Sequence, residues 1–214
     1  MSSLARWQLV VAMALAAVLG AAGLLALRQP APPLVVTPGV FELWPPNVAL
    51  FRLINDHRSA FADAVSLVFI ALGTGWVLLP AVILAWLARP WRVVPLLLAA
   101  GLEALTTMVL KLLFQQPRPF RLLPDVHLLQ PLVRGDSFPS GDVGLATALA
   151  CILGWHARWP VKLALALYVA LVAYGRIYAG VHFPLDVAMG ALVGLAVGLL
   201  VTHLWQRGWL PASS

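Results

Sequence analysis

The sequence predicts an all-α, polytopic membrane protein, a bundle of six transmembrane helices. Three observations predict it. Of 214 residues, 62% are hydrophobic and only 10% charged, with mean hydropathy +0.92, whereas soluble domains carry about 25% charged residues. The apolar residues fall in long runs separated by short Pro- and Arg-bearing turns. The charges are also unevenly distributed between the two ends of those runs. The net charge of +6 contains no basic run and no interleaved aromatic face, so nucleic acid is excluded as a partner. A single Cys151 excludes an internal disulfide and a multi-cysteine metal site.

Leu9 to Leu27 is an apolar run behind Arg6, longer than the roughly 7–15 residues of a cleaved signal, and reads as an uncleaved anchor. Residues 30–46 carry six prolines and read as an extended connector outside the bilayer. Two units follow: residues 1–46 as anchor and connector, and residues 47–214 as the membrane core. Asn47 to Arg58 reads as a short interfacial helix with Val48, Phe51, Leu53 and Ile54 as apolar anchors. A second span runs from about Phe61 to Leu87, softened by Gly73, Gly75 and Pro80. Ala88-Arg89-Pro90-Trp91-Arg92 is a basic turn, and the third span covers Val93 to Phe114. Spans four to six cover Gly141–Trp155, Val161–Tyr178 and Phe183–Trp205. Trp7, Trp44, Trp91, Trp155, Trp159, Trp205 and Trp209 sit near these boundaries and read as interface anchors.

Six spans put both termini and the turns at 88–92 and 156–162 on one side. That side holds Arg6, Arg89, Arg92, Arg158, Lys162 and Arg207 and no acidic residue, which marks it as cytoplasmic. Seven of the eight carboxylates, all but Glu103, lie on the other side. The chemistry-bearing residues lie there too, in three ordered clusters: Lys111 with Arg118-Pro119, Pro139-Ser140-Gly141-Asp142, and Arg176 with His182 and Asp186. Cations at membrane depth are costly unless they face water or a partner, and three of them together ask for a concentrated anion. Ser140 suits the N-cap of span four, and Asp142 in its first turn suits the helix dipole. The same helix start, with Gly141 allowing close approach, suits phosphate. Pro184 starts span six, so His182 and Asp186 are i and i+4 on one face. The carboxylate can hold one ring nitrogen and leave the other as a nucleophile or base. Glu103, Thr107 and Lys111 form a polar stripe on span three that points into the bundle.

The ordered pattern Lys-x6-Arg-Pro, Pro-Ser-Gly, Arg-x5-His-x3-Asp over residues 111–186 resembles the type-2 phosphatidic acid phosphatase superfamily of membrane lipid phosphatases. Asn55, Asp63 and Leu72-Gly73 extend the similarity. The resemblance implies a six-helix membrane bundle and a reaction through a phosphohistidine, without metal or cofactor. By position, Lys111, Arg118 and Arg176 would hold the phosphoryl oxygens, with hydrogen bonds from Ser140 and the Gly141 amide. His182 would attack phosphorus, oriented by Asp186. The superfamily usually has a second histidine, the general acid, where this chain has Asp142. Two readings compete there: Asp142, protonated in the complex, is itself the catalytic acid, with His127 of the outer loop as a lesser stand-in, or no strong acid is needed because the leaving group is itself a phosphate. The second reading makes the expected substrate a lipid phosphate or, better, a diphosphate such as undecaprenyl diphosphate. It would be cleaved at the periplasmic face of a bacterial inner membrane, with membrane lipids around the protein. Phosphotransfer from undecaprenyl diphosphate to a lipid acceptor such as lipid A, and an inactive binding or transport role, stand as alternatives. A vanadium haloperoxidase shares the anion pocket but expects the missing histidine and a soluble domain.

Overall fold

The computed structural model describes residues 42–130 and 133–210. Its elements in chain order are helices α1 (Pro45–Asn55), α2 (Ala60–Gly73), α3 (Leu78–Ala88), α4 (Val93–Phe114), α5 (Pro119–Leu122), α6 (Gly141–Gly154), α7 (Trp159–Tyr178) and α8 (Pro184–Gln206), with 3₁₀ turns at Gly75–Val77 and Pro90–Arg92. No strand occurs among the described residues. The predicted anchor at 9–27 and most of the connector at 30–46 lie outside them, as does Trp7.

Local chemistry sets the helix boundaries. Ser59 caps α2 by accepting from the Ala62 amide at 3.1 Å, satisfying one of the N–H groups that a helix start leaves unpaired. Pro45 and Pro184 each open a helix, where the missing N–H costs nothing. α4 stops at Gln115, which takes the left-handed conformation (φ 45°) and returns its amide to Lys111 O.

The predicted second span is not one helix. α2 and the helical stretch Gly75–Ala88 meet at a 61° bend, because Thr74 is extended and its amide bonds back to Ala71 O. Pro80 sits in the first turn of α3, where it breaks no bond. Among the described residues, three helical segments are long and apolar enough to cross a membrane: Pro90–Leu122, Trp159–Tyr178 and Pro184–Gln206, or four if the bent pair counts as one. α6 has 14 residues, which is about 21 Å of helix against a hydrocarbon core of about 30 Å.

α6 is the central helix, packed against α8, α4 and α7. Small residues let it approach α8 closely, as at other membrane-helix interfaces. A Cβ added at Gly194 would lie 2.1 Å from Gly144 O, and one at Gly198 would lie 2.5 Å from Cys151 Cβ. The bundle's outer face is apolar, with Phe61, Trp76, Trp86, Leu113 and Trp159 all exposed. Two expectations on individual residues fail. Phe51 is not an interfacial anchor but fully buried, its ring 5.3 Å from that of Phe183, while Leu53 takes the outward face. Trp205 is also buried, packed in the core beside the His156 ring.

Candidate active site

The three clusters come together at one end of the bundle. At the other end Arg92, in the basic turn, donates to Leu153 O near the end of α6 at 2.9 Å, so the 88–92 turn and the site lie at opposite ends of α6. Lys111 reaches the site from the last turn of α4, and its ammonium donates to Asp136 O at 2.7 Å and Ser137 O at 3.2 Å. Arg118 precedes α5. Its Nε donates to Gly135 O at 3.2 Å, and its Nη1 donates to Val181 O at 2.9 Å. Two cations are thus pinned by carbonyls of the loop before α6 and of the turn before α8, which fixes their direction while leaving their charge uncompensated by those contacts.

His182 is 2% exposed and Asp186 is fully buried. The ring's Nδ1 lies 3.3 Å from Asp186 Oδ2, and Nε2 lies 3.4 Å from Arg118 Nη1. A carboxylate beside Nδ1 and an N–H donor beside Nε2 select the tautomer with the proton on Nδ1 and the lone pair on Nε2. Burial, followed by the charges of Arg118, Arg176 and Lys111, holds the imidazole well below its ordinary pKa of 6.5, so it is neutral. Asp186 Oδ2 also accepts from the Phe183 amide at 2.7 Å and from Ser137 Oγ. The first of these caps α8, so one carboxylate both starts the helix and orients the imidazole.

Ser140 is the N-cap residue of α6 by backbone position, and its amide donates to Asp186 O at 3.0 Å. Its hydroxyl is buried and makes no hydrogen bond, and neither does Arg176 Nε. Buried donors normally find partners, so these two are available to an anion. Asp142, in the first turn of α6, forms an ion pair through Oδ2 with Arg176 Nη2. Gly141 sits against Thr107, where an added Cβ would lie 3.2 Å from its methyl. The Glu103–Thr107–Lys111 stripe does point inward: Thr107 Oγ1 donates to Glu103 Oε1 at 2.7 Å.

The sequence matches a known family. The PAP2 superfamily model matches residues 92–209, which is more than half of the chain. The chain belongs to the PAP2 superfamily. It is 33% identical to the putative undecaprenyl-diphosphatase YbjG of Escherichia coli (strain K12), over 75% of this chain and 83% of that one. It is 29% identical to an undecaprenyl-diphosphatase of Sulfolobus acidocaldarius, over 76% and 80%. Among solved structures it is similar to Aquifex aeolicus LpxE, with a TM-score of 0.74 and 45% identity over 77% of this chain and 99% of that one. Together with the candidate spans, these relatives make the chain an integral membrane lipid phosphatase of the PAP2 superfamily, a phosphoric ester hydrolase.

All eight predicted site residues of this PAP2 protein lie in the cluster or on its rim. Three residues that support the site were not singled out from the sequence. Ser137 contacts both His182 and Asp186. Asn47 accepts from the Leu185 amide through Oδ1 and donates to Glu42 O through Nδ2, each at 3.0 Å. Glu42 is fully buried beside Asp186. Asn55 and Asp63 hold the frame and stay out of the pocket. Asn55 Nδ2 donates to His127 O and Tyr178 O, both at 2.9 Å, and Asp63 accepts from Tyr178 Oη at 2.6 Å. The His127 ring is exposed, which does not suit it to act as an acid inside the site.

Proposed function

We propose that the protein hydrolyses a lipid phosphate or diphosphate, best undecaprenyl diphosphate, through a phosphohistidine on His182. The observation that carries this reading is the orientation of His182: Nδ1 on Asp186, Nε2 toward Arg118, with Lys111 and Arg176 also in electrostatic range. Nε2 attacks phosphorus, the N–P bond forms, and the P–O bond to the leaving group breaks with its electron pair going to that oxygen. Water then attacks the phosphohistidine, releasing phosphate and returning the lone pair to Nε2. Phosphoryl transfer depends on positioning and on neutralising equatorial charge. Lys111, Arg118, Arg176, the Ser140 hydroxyl and the start of α6 supply both without a divalent cation.

Asp142 takes a different part from the histidine usual at its position. Its carboxylate holds Arg176, so its role in this reading is to aim that guanidinium, and the leaving group departs without a donated proton. A phosphate leaves readily in that way and an alkoxide does not, which favours diphosphates. Relatives named undecaprenyl-diphosphatase favour the same substrate class, whereas the Lipid A 4'-phosphatase of Porphyromonas gingivalis and the phosphatidylglycerolphosphate phosphatase of Bacillus subtilis, which are also similar, carry the names of lipid monophosphate phosphatases. We place the site at the periplasmic face of a bacterial inner membrane, in a six-span bundle completed by residues 9–27, with both termini cytoplasmic. The acid-free basic turns at the far end support this orientation.

The test offers purified protein, in metal-free buffer, a panel of lipid mono- and diphosphates and reads free phosphate. Diphosphates should turn over fastest, and His182→Ala should abolish turnover. A clear preference for monophosphates would overturn the leaving-group argument. Phosphate appearing only on an added lipid acceptor such as lipid A would decide for phosphotransfer.

A further inference from the structure

The His182–Asp186 pair leaves one group unaccounted for. Asp186 Oδ2 is fully used, by Ser137, Phe183 and His182, yet Asp186 Oδ1 is buried and meets no donor. Beside Asp186 is Glu42, fully buried, with neither carboxyl oxygen bonded to a donor. Two bare carboxylates in contact in a buried site would repel, and each would forfeit the hydrogen bonds it had in water. One proton between them removes both penalties. Asp186 already accepts from Ser137 Oγ and the Phe183 amide, which favour its ionised form, whereas Glu42 meets no donor, so the proton belongs to Glu42. Burial first, and then the charge of Asp186, pushes the Glu42 carboxyl up in the same sense.

Glu42 is also held where it is. Its carbonyl accepts from Asn47 Nδ2, and Asn47 Oδ1 in turn accepts from the Leu185 amide in the first turn of α8. Asn47 therefore couples the backbone at Glu42 to the helix that carries Asp186. The contact is made with Asp186, which meets the imidazole at Nδ1, whereas Arg118 meets it at Nε2. Residue 42 lies outside the segment matched to the superfamily, residues 92–209.

We infer that Glu42 is a positioning residue: its carboxyl O–H donates to Asp186 Oδ1, fixing the carboxylate so that Oδ2 holds the His182 Nδ1–H and Nε2 keeps its lone pair aimed at phosphorus. This inference rests on the phosphohistidine reading above. A bare Oδ1 would make Asp186 a stronger base and free it to rotate, and both changes weaken the nucleophile's alignment.

The experiment compares Glu42→Ala, Glu42→Gln and His182→Ala in the full chain, reading kcat, KM and the single-turnover rate of phosphohistidine formation. Glu42→Ala should lower kcat and the phosphorylation rate by about 10- to 100-fold, the size expected when supporting groups or sub-ångström alignment are lost, with KM within about twofold. Glu42→Gln keeps an N–H donor of the same reach and should restore activity to within about threefold of the parent. Folding is followed by thermal melting, and because glutamine is isosteric that variant remains informative if the alanine chain does not fold. A folded Glu42→Ala with unchanged kcat, a change in KM alone, or a glutamine variant as slow as the alanine one would each overturn the assignment. Turnover surviving in His182→Ala would instead sink the phosphohistidine reading.

Discussion

Gly190→Ala tests whether the α6–α8 contact sets the geometry of the site. Gly190 lies one turn after Asp186 on α8, and the Ser140 carbonyl sits in the notch it leaves. A Cβ there would stand 2.3 Å from Ser140 O, more than 1 Å inside the 3.4 Å at which ordinary contact begins, and 3.1 Å from Ser140 C. The obstructing atoms are backbone, so no rotamer change relieves the overlap, and either α8 or the start of α6 must move. Two terms compete in stability. Alanine in place of glycine favours a helix by about 1 kcal/mol, whereas overpacking costs about 1–3 kcal/mol. The net loss is therefore about 0–2 kcal/mol, and the protein should still fold. Catalysis has no such offset. Ser140 carries the free hydroxyl of the pocket, and its amide bonds Asp186 O. Displacing it by close to 1 Å is expected to cost about 100-fold in rate, equivalent to about 2.7 kcal/mol. The assay is kcat on a lipid diphosphate alongside a melting curve. Gly75→Ala is the control, since nothing lies within 4 Å of its added Cβ. A Gly190→Ala protein within threefold of that control would refute the argument that this close approach positions the phosphate site.

Two further predictions concern the nucleophile. Ser137→Ala removes one donor to a fully buried carboxylate and should destabilise the fold by about 1.5–3 kcal/mol, the size of a hydrogen bond to a charged group; an unchanged melting curve with unchanged kcat would remove Ser137 from the site. His182, held well below 6.5 mainly by burial, should remain neutral with its proton on Nδ1 when the pH falls through 6.5, which ring-nitrogen chemical shifts of labelled protein read directly. Because the folded pKa is the lower one, the unfolded chain takes up the proton first. The stability that His182 contributes is present in full above pH 6.5 and declines as pH falls from 6.5 toward the folded value. A midpoint for His182 at or above 6.5 would contradict the geometry.

The three clusters were legible because their chemistry is local and expensive. A lysine, two arginines and a histidine at membrane depth must be explained, and the i, i+4 spacing of His182 and Asp186 already predicts their contact. The supporting residues were not legible because their partners are remote in sequence. Asn47 meets Leu185 across 138 residues, and Ser137 meets Asp186 across 49. Neither residue differs in type from an ordinary loop polar group or helix start. Glu42 lies within a proline-rich stretch and reads only as one more outer carboxylate. Phe51 and Leu53 show a related limit: a helix with apolar residues on both faces does not say which face the protein covers, and the Phe183 ring decides it. The break at Thr74 was foreshadowed by Gly73 and Gly75, but glycines permit a bend without fixing its angle.

The departure at Asp142 and the buried carboxyl at Glu42 bear on one question, how a PAP2 site works without its usual second histidine. A histidine at the start of α6 could give a proton to a leaving group. The aspartate there instead engages Arg176 Nη2 and leaves Arg176 Nε free, which strengthens anion placement and forgoes proton donation. The proton proposed for Glu42 meets Asp186, which lies at His182 Nδ1 and not at the Nε2 that Arg118 approaches, and so would serve alignment of the proposed nucleophile. Both acidic residues thus favour attack and charge neutralisation over departure. A site weighted in that direction suits a substrate whose leaving group is already a stable anion, and a lipid diphosphate is such a substrate.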